Sequence, residues 1–181
     1  TLNDVSFEIH KGEIVGFYGL VGAGKTELAR AIYGVDEYEG EILFKGKKLQ
    51  PSPEKAIAAG ITLVPEERRT QGLFTILTIR ANVPVMNMRK ISSNGFINDA
   101  KERKVSLDYV DKLNIATNSI EKEAAKLSGG NQQKVVLSKC LFADADLLML
   151  DEPTRGIDVE AKSEIYTIIR HLSKEGKTII I

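Results

Sequence analysis

The chain has 181 residues, 43% hydrophobic and 28% charged, and these values argue against a fibrous repeat or a long disordered region. Its 25 Lys and Arg residues balance 25 Asp and Glu residues, which argues against a general binder of nucleic acid. No apolar run approaches the ~20 residues that cross a bilayer. The single cysteine, Cys140, excludes an internal disulfide and fits a reducing compartment.

In the first third of the chain, strand-like and helix-like segments alternate. Apolar alternation and short apolar runs indicate the strands, and a glycine or proline marks the bounds of each helix. The predicted elements are a half-buried strand over 2–9, a buried strand over 14–18, a helix over 25–33, an antiparallel hairpin over 42–49, a short helix from 53 and a strand over 61–64.

The middle of the chain has a different character. Residues 66–126 are predicted to be a mostly helical insert, whose clearest helix begins at an Asp99 cap and carries an apolar stripe that includes Tyr109. The rest of the chain, 1–65 and 127–181, is predicted to form one core.

Helices and apolar strands alternate again after the insert. A helix is expected to end near Phe142, a buried strand to cover 147–150, and a second helix to begin at Asp158. This alternation predicts an α/β fold with a mostly parallel sheet covered on both faces. The last residues, 178–181, look like a buried strand that stops in mid-run, so we expect the chain to be part of something longer.

A glycine-rich segment, Gly19–Thr26 with the sequence GLVGAGKT, carries the strongest chemical signal; we call it the phosphate loop. It follows a predicted strand and opens a helix, which is the context of a P-loop NTPase. Backbone N–H groups of such a loop wrap phosphate oxygens, while Lys25 reaches the β- and γ-phosphates and the Thr26 hydroxyl ligates Mg²⁺. The predicted ATP contacts are Gly19, Gly22, Ala23, Gly24, Lys25 and Thr26. The alternative is a glycine-rich turn with no special role.

Two acids follow the predicted strand 147–150. The carboxyl ends of strands are where open α/β sheets bind ligands. Asp151 is therefore a candidate ligand of Mg²⁺ or of its water. Glu152 is a candidate catalytic base that accepts a proton from an attacking water. The alternative is a pair of solvated acids.

A third motif decides the family. Leu127–Lys134, with the sequence LSGGNQQK, resembles the signature loop of ATP-binding-cassette (ABC) ATPases, and Pro153–Asp158 resembles their D-loop. Together with GLVGAGKTE and VPEERR (64–69), these strings are similar to the ATPases of simple-sugar importers of the ribose, xylose and galactose type. The resemblance is to the second, C-terminal cassette of those proteins and covers essentially the whole chain.

The resemblance implies a set of partners. Two cassettes of this family close head to tail around two ATP molecules, so Ser128, Gly129 and Gly130 would contact the ATP of the partner cassette. The segment 66–126 would be the helical subdomain that contacts a membrane permease. The chain would then sit peripherally at the cytoplasmic face of the cell membrane, served indirectly by a sugar-binding protein and without nucleic acid.

One residue departs from the family pattern. Glu66 stands where most relatives have glutamine, and we expect it to act at the catalytic site and to ligate Mg²⁺ or its water. The alternative is that Glu66 and Glu67 form a solvated acidic turn. The neighbouring pair Arg68 and Arg69 is expected to be solvated.

Two other functions compete with sugar import driven by ATP hydrolysis. The cassette could bind nucleotide and close with little hydrolysis, as a regulatory partner of an active twin. It could also be a soluble ABC ATPase of DNA repair or translation, which the zero net charge disfavours.

Overall fold

The computed structural model describes residues 2–20 and 22–181. In chain order the elements of the first third are β1 (Ile14–Val15), α1 (Lys25–Tyr33), β2 (Leu43–Phe44), β3 (Lys47–Lys48), α2 (Pro53–Ala59) and β4 (Ile61–Val64). The middle holds a π-helical turn (Arg68–Gly72), α3 (Ile79–Asn82), 3₁₀ turns (Val85–Ile91), β5 (Ser92–Ser93), β6 (Phe96–Ile97), α4 (Asp99–Lys112) and a 3₁₀ turn (Ala124–Lys126). The last third holds α5 (Gly129–Phe142), β7 (Leu147–Leu150), α6 (Val159–Lys174) and β8 (Thr178–Ile180).

Four strands form one parallel sheet in the order β1-β8-β7-β4. In β7, Leu148 and Leu150 pack with α5 and α6 in one apolar cluster, whereas Leu147 and Met149 pack with α1 and α2 in a second cluster. Successive side chains of a strand point to opposite faces, so the two clusters lie on opposite faces of the sheet. The predicted parallel sheet with both faces covered is confirmed.

The structure also forms the predicted hairpin. Strands β2 and β3 pair antiparallel, with Leu43 opposite Lys48. Of the predicted helix starts and stops, Gly34 ends α1 in the left-handed conformation, at φ 83°. Pro53 opens α2, where its missing N–H costs nothing.

Two strand predictions at the start of the chain were wrong. Residues 2–9 contain no strand among the described positions, and Val5 and Phe7 are both exposed. The predicted buried strand over 14–18 is shorter in the structure, where it contains only β1. Because β1 pairs with β8 on one side alone, Ile14 remains 42% exposed. Apolar alternation over 2–9 identified a possible strand, but no strand of the described residues pairs with this segment.

The segment 66–126 contains α3, α4 and several single turns, with a small hairpin between them. The cap of α4 is one residue earlier than predicted, because the Asn98 side chain, not Asp99, accepts the hydrogen bond from the Lys101 N–H at 2.9 Å. Ile79 and Leu113 from this segment are buried in the same apolar cluster as α5 and α6. Within the described part of the chain, no helix is both long enough and apolar enough to cross a membrane.

Candidate functional site

The phosphate loop lies between the end of β1 and the start of α1. Its Gly22 and Gly24 have φ values of 83° and 92°, a conformation that residues with a Cβ rarely adopt. A Cβ on Gly19 would lie 2.8 Å from the Cβ of Ala23, so the loop also needs glycine there. Among the residues that the structure describes, no side chain caps α1, so its first N–H groups are available to an anion. Val21, also in this loop, lies outside the described residues.

Lys25 joins the phosphate loop to the end of β7. Its Nζ donates a hydrogen bond to Glu152 Oε1 at 2.9 Å, across 127 positions of sequence. This hydrogen bond is the main reason that the pKa of Lys25 is raised above its ordinary value. The lysine predicted to bind phosphate and the acid predicted to act as base are therefore neighbours.

Asp151 and Thr26 meet beside this pair. Burial raises the pKa of Asp151, and a hydrogen bond from the Thr26 side chain partly opposes that shift. A hydroxyl and a carboxylate are hard oxygen donors of the kind that Mg²⁺ takes in nucleotide sites. The described residues hold no cluster of three or more acids, histidines or cysteines that would bind a metal alone. The donor set therefore fits an ion shared with substrate phosphates and water.

Glu152 has an unusual backbone. Its φ is 46°, in the left-handed region that residues other than glycine seldom occupy. The Arg155 N–H donates to the Glu152 carbonyl at 3.0 Å and closes the turn that holds this conformation. Strained conformations of this kind concentrate at functional sites, because the surrounding structure must maintain them.

Glu66 lies at the edge of the site and is paired with an arginine. Arg155 forms an ion pair with Glu66 and a second one, at 3.2 Å, with Glu67. Glu66 is close enough to Lys25 and Asp151 to raise the pKa of both by its charge. Arg155 therefore provides the positive charge that balances the carboxylate that Glu66 has in place of a neutral glutamine.

The signature segment also has a structural role within this chain. Ser128 caps α5 by accepting a hydrogen bond from the Asn131 N–H at 3.5 Å. A Cβ on Gly130 would lie 2.6 Å from the Cβ of Ala161 in α6, and one on Gly129 would lie 2.8 Å from Arg68 Nη2. Both glycines therefore allow close packing within this chain, whatever else they contact.

The structure brings only part of the predicted site together. Lys25, Thr26, Asp151 and Glu152 share one place at the carboxyl edge of the sheet. No hydrogen bond or ion pair between described residues joins this group to Ser128–Gly130. Arg68 was expected to be solvated and is instead partly buried, with its guanidinium on the backbone of the Pro153–Asp158 loop.

Comparison with known proteins identifies the family. The family model described as "ABC transporter" matches residues 2–155. This chain belongs to the ABC transporter family. Its fold agrees with that of a dimeric ATP-binding cassette solved with ADP and Pi in a post-hydrolysis state, at a TM-score of 0.83 and 25% identity over 99% of this chain and 78% of that one. A nucleotide-free cassette from an ABC transporter gives a TM-score of 0.82 at 21% identity, over 99% of this chain and 74% of that one.

Relatives with similar sequences include proteins that are named as import ATP-binding proteins. A ribose import ATP-binding protein of Streptomyces coelicolor is 46% identical over 98% of this chain. Another ribose import ATP-binding protein, from Rhizobium meliloti, is 45% identical over 99% of this chain. The chain spans 36% of the length of each of these relatives.

Proposed function

We propose that this chain is an ATP-binding and ATP-hydrolysing cassette of an ABC importer that takes up a simple sugar. The observation that carries the proposal is the contact between Lys25 and Glu152, which unites the phosphate loop with the acid at the end of β7. The Asp151 and Thr26 pair beside it supplies the oxygen donors that a nucleotide-bound Mg²⁺ requires.

The proposed chemistry is in-line attack of water on the γ-phosphate of ATP. Lys25 donates a hydrogen bond to Glu152, and the negative triphosphate of bound ATP would draw the ammonium group away from it. The released Glu152 carboxylate orients the water and accepts its proton. Mg²⁺, held by Thr26, Asp151 and Glu66 or their waters, would neutralise charge on the phosphate oxygens.

We place Ser128, Gly129 and Gly130 at the ATP of a partner cassette. Ser128 and the start of α5 form a second helix N-terminus, which favours an anion. These residues have no contact with Lys25 in the described chain, which supports a ligand other than this cassette's own nucleotide. The similar cassette solved with ADP and Pi is dimeric.

We assign residues 1–65 and 127–181 to the ATPase core and 66–126 to a helical subdomain that docks on membrane permease subunits. The exposed apolar side chains of that segment include Phe74 at 51%, Ile76 at 82% and Leu77 at 40%. They suit an apolar contact with another protein. The complex would lie at the cytoplasmic face of the cell membrane and receive a simple sugar from a binding protein, without nucleic acid.

Substitution of the proposed base tests this function. Glu152→Gln, made in the natural full-length protein with its permease, is expected to keep ATP binding and to lower turnover ~10²-fold or more. Glu160→Gln is the matched control, because Glu160 is an exposed acid in the first turn of α6. Unchanged turnover in Glu152→Gln, with the control also active, would exclude Glu152 as the base.

A second candidate is a regulatory cassette that binds ATP and hydrolyses little of it. The ion pair between Arg155 and Glu66 favours this candidate, since the Arg155 guanidinium would compete with Mg²⁺ for the Glu66 carboxylate. The same Glu152→Gln change separates the two: a regulatory cassette would lose almost no turnover, because the twin cassette performs it.

A further inference from the structure

Arg68 connects three segments that lie far apart in sequence. It stands two residues after Glu66, at the start of the π-helical turn Arg68–Gly72. Its Nη1 donates to the carbonyl oxygen of Arg155 at 2.7 Å, and its Nη2 donates to the carbonyl oxygen of Gly156 at 3.2 Å. Two parallel bonds to successive carbonyls use the planar fork of a guanidinium, which a lysine lacks.

The same guanidinium rests on the start of α5. Nη2 of Arg68 lies 2.8 Å from the position that a Cβ on Gly129 would take. The Arg68 Nε is buried and donates to no acceptor among the described residues. A buried donor without an acceptor lowers stability, so the burial of this N–H group indicates a role other than stabilisation.

The side chain of Arg155 also contacts the segment that contains Arg68. Its side chain pairs with Glu66 and Glu67, while its carbonyl oxygen accepts from Arg68. The segment 66–68 and the loop that contains Arg155 are therefore joined in two ways. The Arg68 side chain binds backbone carbonyls of the loop, and the Arg155 side chain pairs with the two carboxylates.

The turn that contains Arg68 is fixed along one face of α5. Arg69 donates to the Gln132 side chain at 3.2 Å, and Lys139 donates to the Gly72 carbonyl. The contacts on α5 fall at 129, 132, 136 and 139, the spacing of one helix face. A π-helical turn is rarely stable alone, so these contacts set its position.

The contact reaches the proposed base through one residue, Arg155. Arg68 holds the Arg155 carbonyl, and the Arg155 N–H holds the Glu152 carbonyl at 3.0 Å. The second bond closes the turn in which Glu152 takes its left-handed φ of 46°. Loss of the Arg68 fork would free the Arg155 and Gly156 backbone and loosen that turn.

We propose that Arg68 is a positioning residue for ATP hydrolysis, which fixes Glu152 and the start of α5 in one geometry through the Arg155–Gly156 backbone. This inference rests on the proposed function. It assigns Arg68 no contact with nucleotide: it acts on the rate of the chemical step and leaves nucleotide binding to the phosphate loop.

The test compares Arg68→Ala and Arg68→Lys in the natural full-length protein with its permease. Arg68→Ala is expected to lower kcat by ~10-fold or more, since small misplacements of catalytic groups cost up to about 10²-fold. ATP affinity should not change. Added methylguanidinium should restore part of the lost turnover, and Arg68→Lys should retain part of it. Arg170→Ala is the control, because Arg170 is exposed on α6 and its side chain bonds, among the described residues, only to Thr167 Oγ1 at 3.4 Å.

Several results would overturn the inference. One is an unchanged kcat in a folded Arg68→Ala protein. Another is a joint loss of kcat, ATP affinity and melting temperature that methylguanidinium does not reverse, which would indicate a structural role alone. If Arg68→Ala does not fold, Arg68→Lys decides, and full activity in it would refute the need for the fork. If the unmodified protein hydrolyses no ATP, the proposed function fails first, and that outcome is separate from these.

Discussion

The close approach of α5 and α6 predicts that Gly130 cannot become alanine without cost. The Cβ of Gly130→Ala would lie 2.6 Å from the Cβ of Ala161. Carbon atoms prefer about 3.5–4.0 Å, so the start of α5 would have to move by roughly 1 Å. Neither carbon can turn aside, because each is fixed directly to a helix backbone.

The expected magnitude follows from two opposing effects. Overpacking of this kind costs about 1–3 kcal/mol. Replacement of glycine by alanine in a helix returns at most about 1 kcal/mol. We therefore expect Gly130→Ala to destabilise α5 by about 1–2 kcal/mol. Ala161→Gly alone should cost about 1 kcal/mol, but in the double variant it removes the clash.

Hydrogen exchange of the α5 amides in the intact protein measures this effect, because it reports the free energy of local opening. The double variant Gly130→Ala with Ala161→Gly should show a coupling of about 1–3 kcal/mol between the two sites. ATP turnover adds a second measurement: it should stay low in the double variant if Gly130 also contacts the ATP of a partner cassette. Effects that add within about 0.5 kcal/mol would refute the packing argument.

Two further predictions concern single side chains. Glu152→Gln should lower the pKa of Lys25 towards its ordinary value, because the Glu152 hydrogen bond is the main cause of the raised pKa. Lys25 would then lose its proton at a lower pH, and acylation of its amine, followed by mass spectrometry, should begin at a lower pH than in the unmodified protein; identical profiles would contradict this. Asp158→Ala should lower the free energy of local unfolding at the start of α6 by about 1 kcal/mol, because it removes the Asp158 Oδ1 that accepts a hydrogen bond from the Ala161 N–H at 2.9 Å. Faster exchange of the first α6 amides in Asp158→Ala, but not in Asp158→Asn, is the expected result.

The predictions that hold depend on local chemistry. Gly34 and Pro53 mark a helix end and a helix start through their own backbone conformation. The strands over 61–64 and 147–150 are short apolar runs, and both are confirmed at the bounds that the sequence indicated. Neither kind of prediction requires knowledge of a distant partner.

The predictions that fail depend on partners elsewhere in the chain. The alternation of Val5, Phe7 and Ile9 describes a face but does not supply a neighbouring strand. In the same way, nothing near Arg68 in sequence indicates that its guanidinium meets carbonyls at 155 and 156. The grouping of Lys25 with Asp151 and Glu152 was predictable because the carboxyl ends of parallel strands share one edge.

The position of β8 in the sheet has a consequence for folding during synthesis. Strand β1 pairs with β8, where Ile14 lies opposite Ile179, and β8 alone joins β1 to β7. A nascent chain that has emerged only as far as α6 can pair β4 with β7, but β1 still lacks β8, its neighbour in the described sheet. Such long-range closure is slow, because the entropy of a long loop is lost before the contact forms. We therefore expect β1 and the phosphate loop after it to take their final places only once β8 has left the exit tunnel.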